Sequence, residues 1–142
     1  MQKPHALTMG IDHLGLTVSD LDLTCRFFVD GLGWKVVGER PSYPAVFVSD
    51  GHQTLTLWQA DKSDGRMPFD RRKNVGLHHV AFKVESLARL ESLYARVSAW
   101  PGVVVEFAPQ LLGAGPSMHC IVHEPGGLRI EFIFTPKARS MP

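Results

Sequence analysis

The chain has 142 residues, 44% of them hydrophobic, and a formal net charge of +1, so it can bury a core as one domain or two fused modules. The near-neutral charge argues against a nucleic-acid partner, and no apolar run approaches the roughly 20 residues that span a bilayer. Two cysteines and an N-terminus without a signal-peptide pattern lead us to expect a cytoplasmic protein without disulfides.

The first half of the chain, residues 9–60, begins with a strand and a helix. Residues 10–19 alternate between apolar and other side chains, which turns His13 away from the apolar face. Ser19 and Asp22 resemble a capping box, and apolar residues at helical spacing follow it. Three β-type segments complete this half: residues 34–38, Ala45–Ser49 and Thr54–Gln59.

The second half, residues 76–135, repeats this order after a polar linker of residues 61–75. Residues 77–84 alternate like the first strand, and Ser86 is a plausible N-cap for an amphipathic helix. Three further β-type segments follow: residues 103–107, Met118–His123 and residues 128–134.

The two halves can be aligned residue by residue. An offset of 66 pairs His13 with His79, and an offset of 75 near the end of each half pairs Thr56 with Glu131. We expect the nine extra residues in a longer loop around residues 108–116. The prediction is a single α+β domain over residues 1–142, in which two tandem βαβββ modules form a partly open, barrel-like mixed sheet.

Three side chains on this scaffold suit a metal ion. If a pseudo-twofold axis relates the halves, His13 and His79 converge on one concave surface, and alternation along the last strand turns Glu131 to the same side. Two imidazoles and one carboxylate leave coordination positions open and suit one divalent ion: Fe, Mn, Ni, Zn or Co. A lone strand histidine is more often structural, but the paired register favours the metal site.

Other residues on the same faces complete the predicted pocket. His119 and His123 both face it, and His119 is the preferred general acid or base, with a structural role as an equal alternative. His78 lies on the opposite face of the predicted strand from His79, so it is excluded as a ligand. Residues 71–73 are interpreted as a solvated part of the linker, with anion gating as the minor alternative. The expected pocket-lining residues are Thr56, Trp58, Ile121 and Ile133.

Three segments carry a resemblance to a known family. They are Ile11-Asp-His-Leu-Gly-Leu-Thr-Val18, His79-Val-Ala-Phe82 and Glu124-Pro-Gly-Gly-Leu-Arg-Ile-Glu-Phe132. Together they resemble the vicinal-oxygen-chelate superfamily, which contains glyoxalase I, extradiol dioxygenases, fosfomycin-resistance and bleomycin-resistance proteins, and methylmalonyl-CoA epimerase. The resemblance covers nearly all of residues 10–134. It implies that His13, His79 and Glu131 bind the metal, that the metal binds two adjacent substrate oxygens, and that the protein is a homodimer.

Two departures leave the subfamily open. Thr56 stands where glyoxalase I and the epimerases place a fourth ligand, Glu or Gln. Ile121 stands ten residues before the carboxylate, where the extradiol dioxygenases place a Tyr.

The leading hypothesis is therefore a divalent-metal-dependent enzyme with a small-molecule substrate, either a dioxygenase or a lyase or isomerase. The alternative is a metal-free small-molecule (drug) binding protein of the bleomycin-resistance type. A third possibility is a partner subunit with a vestigial site.

Overall fold

The computed structural model describes residues 5–137 and contains the predicted βαβββ order twice. The first module consists of β1 (His13–Val18), α1 (Leu21–Arg26) with a following π-helical turn (Phe27–Gly31), β2 (Lys35–Arg40), β3 (Ala45–Ser49) and β4 (Thr54–Gln59). The second module consists of β5 (Val80–Lys83), α2 (Leu87–Ser98), β6 (Val104–Leu111), β7 (Met118–His123) and β8 (Arg129–Phe134).

Each module forms its own four-stranded sheet, in the order β1-β4-β3-β2 and β5-β8-β7-β6. The first and last strands of each module pair in parallel, and the other neighbours are antiparallel, so both sheets are mixed. The α+β class with two βαβββ modules is confirmed, and over the described residues 5–137 the sheets are not closed into a barrel.

The strand register supports the residue alignment of the two modules. Gly15 lies opposite Thr56 in the first sheet, and Ala81 lies opposite Glu131 in the second. These pairs are related by the offsets of 66 and 75 that the sequence indicates. Positions with the same role in the two sheets can therefore be compared directly.

The helix starts follow the repeat, although one predicted cap is wrong. Asp20, not Ser19, caps α1 by accepting a hydrogen bond from the Leu23 amide at 3.0 Å. The Ser19 hydroxyl instead donates to the carbonyl of Gly126 in the other module. Ser86 caps α2 as predicted.

The extra length of the second module lies partly in a strand rather than in a loop. β6 continues to Leu111, where a loop was expected from residue 108 onward. Its pairing with β7 shifts twice, between Val105 and Phe107 and again between Phe107 and Gln110. The shifts are β-bulges, which take up additional residues without breaking the strand.

The two modules share one apolar core. The Phe28 ring lies 5.1 Å from Trp34 of its own module and 6.1 Å from Phe82 of the second module. Buried side chains from both sheets and both helices join the same cluster. The apolar faces of the two sheets therefore meet one core, and their other faces, which carry the predicted site residues, lie away from it.

A buried carboxylate joins the modules. Glu124 is 1% exposed and accepts hydrogen bonds from the Thr24 hydroxyl and from the amides of Gly126 and Leu128. Burial raises the pKa of Glu124, and these donors oppose that effect. Within residues 5–137, neither helix is long and apolar enough to cross a membrane.

Candidate functional site

His13 begins β1 on the open face of the first sheet. Its side chain is 55% exposed, and its Nδ1 lies 2.7 Å from the carboxylate of Asp12. Because a carboxylate only accepts hydrogen bonds, His13 Nδ1 carries the proton in this contact. The other ring nitrogen, Nε2, is therefore the one with a free lone pair.

His79 lies immediately before β5 rather than within it. The predicted strand of residues 77–84 is shorter in the structure, Val80–Lys83, and His79 is half-buried. Its Nδ1 lies 2.7 Å from Nδ1 of His78, the neighbour that parity had excluded from the site. Strand alternation does not apply to a residue outside the strand, so the two rings can meet.

Glu131 lies in the middle of β8 with a histidine beside it. Its carboxylate accepts a hydrogen bond from His119 Nδ1 at 3.2 Å, and the two side chains are only 12% and 9% exposed. The His119 ring also packs 4.8 Å from the ring of Phe107. His119 therefore fixes the position of the Glu131 carboxylate, and its predicted role in proton transfer remains a prediction.

Four residues predicted to line one pocket lie on two different sheets. Thr56 and Trp58 belong to β4, whereas Ile121 and Ile133 belong to β7 and β8. An open cavity of about 710 Å³ lies elsewhere, beside Asp20–Asp22, Tyr43–Pro44 and Gln59–Lys62. It contains none of the predicted site residues, so we place no chemistry there.

The same separation applies to the predicted ligands. His13 begins β1 of the first sheet, Glu131 lies on β8 of the second sheet, and His79 lies in the segment directly before β5. Within residues 5–137 no group of three His, Cys, Asp or Glu side chains is placed to hold a metal ion. His13, His79 and Glu131 therefore form no preassembled metal group in this part of the chain, and their joint role as ligands stays a prediction.

The open face of the first sheet carries an aromatic wall, which we define as Tyr43, Phe47 and Trp58. The Trp58 ring lies 4.7 Å from Tyr43 and 5.8 Å from Phe47. The Trp58 indole donates a hydrogen bond of 2.9 Å to the Thr56 hydroxyl. The polar atoms of this wall are the Tyr43 hydroxyl and the Trp58 indole nitrogen, and the rest of its surface is aromatic carbon.

Two glycines make room for this wall. A Cβ on Gly38 would lie 2.8 Å from the Phe47 ring, which is closer than real Cβ contacts allow. A Cβ on Gly15 would lie 3.1 Å from the Thr56 hydroxyl and 3.6 Å from the Trp58 indole nitrogen. The absence of a side chain at both positions lets the aromatic rings and the hydroxyl lie against the sheet.

Sequence reasoning missed an ionic cluster on the second sheet. Arg129 is 8% exposed and makes two hydrogen bonds to Glu106, from Nε to Oε1 at 3.0 Å and from the second terminal nitrogen to Oε2 at 2.7 Å. His123 and Arg71 also approach Glu106 Oε1, at 3.1 Å and 3.6 Å. Hydrogen bonds from Arg129 are the largest cause that lowers the pKa of Glu106 to about 2.

A β-bulge brings Glu106 to this cluster. Glu106 is the extra residue between the pairs Val105–Val122 and Phe107–Ile121. Bulges re-aim a side chain in a way that simple alternation does not predict. Arg71 shows that residues 71–73 of the linker are not all solvated, and Glu106 rather than a free anion occupies the guanidinium groups.

Comparison with known proteins agrees with this architecture. The family model described as the Glyoxalase/Bleomycin resistance protein/Dioxygenase superfamily matches residues 10–132. No curated protein sequence matches the chain significantly.

Solved structures share the fold over most of the chain. A glyoxylase/bleomycin resistance protein/dioxygenase domain from Frankia sp. EAN1pec is 26% identical, with a TM-score of 0.78 over 91% of this chain and 99% of that one. A lactoylglutathione lyase from Agrobacterium tumefaciens is 23% identical, with a TM-score of 0.68 over 91% and 96%. A fosfomycin resistance protein from Listeria monocytogenes is 17% identical, with a TM-score of 0.68 over 92% and 96%. The family match spans both modules, and we conclude that the chain belongs to the glyoxalase/bleomycin resistance protein/dioxygenase superfamily.

Proposed function

We propose that the protein is a divalent-metal-dependent enzyme for a small molecule, with each site shared between two copies of the chain. His13 of one copy would bind the ion together with His79 and Glu131 of the other. The observation that supports this proposal is that the three ligands form no metal-binding group within residues 5–137 of a single chain. His13 is half-exposed in the first module, whereas the half-buried His79 and the Glu131 carboxylate belong to the second module.

The edges of the sheets make such an arrangement possible. Within the described residues, β1 pairs only with β4 and β5 pairs only with β8, so β1, which begins with His13, and β5, which directly follows His79, each lie at the edge of a sheet. A twofold axis between two copies would set β1 of one beside β5 of the other, and it would form two equivalent sites. This is the homodimer that the family resemblance implies.

The chemistry of the donor set fits a divalent first-row ion. Both histidines have Nδ1 in a hydrogen bond, which leaves Nε2 for coordination. Glu131 contributes a carboxylate with one oxygen, Oε2, in a hydrogen bond with His119, and the other oxygen would bind the ion. Two neutral imidazoles and one carboxylate suit Fe, Mn, Ni, Zn or Co and leave coordination positions for substrate oxygens.

Residues around this donor set would transfer protons and bind the body of the substrate. A bound divalent ion would act as a Lewis acid toward substrate oxygens. His119 holds the carboxylate through Nδ1, so Nε2 is the atom at which it would accept or release a proton. The aromatic wall would pack against the body of the substrate and exclude water from that side. We therefore favour a substrate with two adjacent oxygens and a flat apolar body, in either dioxygenase or lyase and isomerase chemistry.

A complementation experiment tests the shared site. His13→Ala and His79→Ala each disrupt both sites of a homodimer, so each variant alone should lose tight zinc binding. A heterodimer of the two variants, obtained by co-expression with two affinity tags, contains one doubly disrupted site and one intact site. It should therefore bind one zinc ion per dimer, whereas the wild type should bind two.

Two results would count against the proposal. A heterodimer that binds no better than the single variants would place all ligands in one chain or elsewhere. A wild type that binds none of the five metals would favour the alternative, a metal-free small-molecule binding protein of the bleomycin-resistance type.

A further inference from the structure

A chain of hydrogen bonds runs from the ionic cluster to His79. Glu106 binds two nitrogens of the Arg129 guanidinium, and the third nitrogen lies 3.3 Å from Nδ1 of His78. The same His78 nitrogen lies 2.7 Å from Nδ1 of His79. Four side chains from β6, β8 and the segment before β5 are thus connected in series.

The direction of these hydrogen bonds follows from the chemistry of arginine. A guanidinium only donates, so the His78 nitrogen that faces Arg129 must accept. Nδ1 of His78 then shares its one lone pair between Arg129 and His79, so the short contact requires a proton on Nδ1 of His79. The opposite arrangement, with a proton on Nδ1 of His78, would point two donors at each other and leave a polar contact unpaired.

We infer that Arg129 is a positioning residue that acts through His78 to hold His79 in the tautomer with a proton on Nδ1 and a free lone pair on Nε2. This inference rests on the proposed function only for its consequence, because Nε2 of His79 is the atom that would bind the metal. Fixing the tautomer before the ion arrives removes a rearrangement from the binding step.

Comparison with the first module shows why the His78–His79 contact needs a third group such as Arg129. At the position equivalent to His78 the first module has Asp12, whose carboxylate accepts from His13 Nδ1 at 2.7 Å. A carboxylate fixes the direction of that hydrogen bond by itself. A neutral imidazole can donate or accept, so His78 can do the same work only when a third group decides its role.

Nuclear magnetic resonance of the imidazole nitrogens measures the tautomer directly. The protein is prepared with a chelator and without metal, at about pH 8, which is above the ordinary pKa of a histidine side chain. We expect His79 of the wild type to carry its proton on Nδ1. His78→Leu, at an exposed position, should move His79 toward the Nε2 tautomer that free histidine prefers in water. Asp12→Ala is the matched control, since it should change His13 and leave His79 as it was.

Variants of the ionic cluster test the role of Arg129 itself. Arg129→Gln removes the obligatory donor, and the double variant E106Q/R129Q removes it without leaving Glu106 unpaired. In both variants His78 is free to donate or accept, so His79 should show a mixture of tautomers. A proton on Nε2 of His79 in the wild type, or an unchanged Nδ1 proton in H78L and in the double variant, would overturn the inference.

Zinc affinity separates this inference from the proposed function. His78→Leu should weaken zinc binding by about 10-fold to 100-fold, which is the usual effect of losing a residue that orients a ligand. If the tautomer responds as expected but the wild type binds no zinc, the positioning inference stands and the metal proposal fails. If zinc binds tightly but the tautomer does not depend on His78, the metal proposal stands and the inference fails.

Discussion

At the position where the second module has Glu131, the first module has Thr56, and each lies opposite a small residue on the parallel neighbouring strand. The residue diagonal to Glu131 is His119, and its equivalent in the first module is Ala45. The backbone pairing is the same in both sheets, whereas the carboxylate and its histidine occur in only one.

The bulges differ in the same way. Both outer hairpins contain an extra residue at the same place, Val37 in the first module and Glu106 in the second. Val37 is 58% exposed, whereas Glu106 binds the buried Arg129. One scaffold thus presents an aromatic wall and one proposed ligand, His13, in the first module, and the other two proposed ligands with their hydrogen-bonding partners in the second. Equivalent positions therefore provide matched variants for testing which module performs which role.

The largest expected effect comes from substitutions at two equivalent positions, Glu131 on β8 and Thr56 on β4. Glu131→Gln keeps the size and the hydrogen bond to His119 but removes the charge, so we expect zinc affinity to fall by about 100-fold or more. Thr56→Val at the matching position should change zinc affinity by less than about threefold. Isothermal titration of both variants gives the comparison, and equal losses would show that the modules do not divide their roles in this way.

A smaller effect is expected from the ionic cluster. Glu106→Gln weakens two hydrogen bonds to an arginine that is 8% exposed, so the free energy of unfolding should fall by about 2 kcal/mol at neutral pH. Asp12→Ala removes an acceptor whose side chain is 96% exposed and should leave that free energy unchanged. Urea denaturation measures both, and a stable E106Q variant would mean that the cluster contributes no stability.

The same variant has a distinct pH dependence. The pKa of Glu106 is lowered from its ordinary value of 4.5 to about 2, so its ion pair stabilises the fold at pH values above the ordinary pKa. That contribution should decline as pH falls from 4.5 toward 2. The difference between wild type and E106Q should therefore shrink over this range, and a constant difference would argue against the lowered pKa.

The smallest expected effects concern the helix caps. Asp20 and Ser86 occupy equivalent positions and each accepts from a backbone amide at 3.0 Å, so replacing either by Ala should cost about 1 kcal/mol. Ser19→Ala removes only a hydroxyl contact with Gly126 and should cost less than Asp20→Ala. Thermal unfolding ranks the stability losses of the three variants. A larger loss for S19A than for Asp20→Ala would contradict the assignment of Asp20 as the α1 cap.

Much of the scaffold follows from sequence because it depends on local patterns. Alternation along the chain predicts the faces of β1 and β8, and the repeat predicts the equivalence of Thr56 and Glu131 that the strand register confirms. The repeat contained more information than the local motifs did. Shifting Asp20 by 66 gives Ser86, so the repeat predicts the α1 cap that the capping-box pattern missed.

The rest depends on geometry that alternation does not describe. Glu106 reaches Arg129 from a bulge, and His78 meets His79 in a segment just outside a strand. The arrangement of the two modules depends on packing, because helices and sheets of both modules bury their apolar sides in one core. A sequence pattern specifies which side of a strand is apolar, but not how two modules are arranged around that side.

The most direct test is the crystal structure of the protein with zinc, with the ion located by its anomalous scattering. Two copies of the chain should enclose two zinc ions. Each ion should lie about 2.0–2.2 Å from Nε2 of His13 in one copy and from His79 Nε2 and a Glu131 oxygen in the other. Zinc bound by residues of a single copy, or by other side chains, would contradict the shared site.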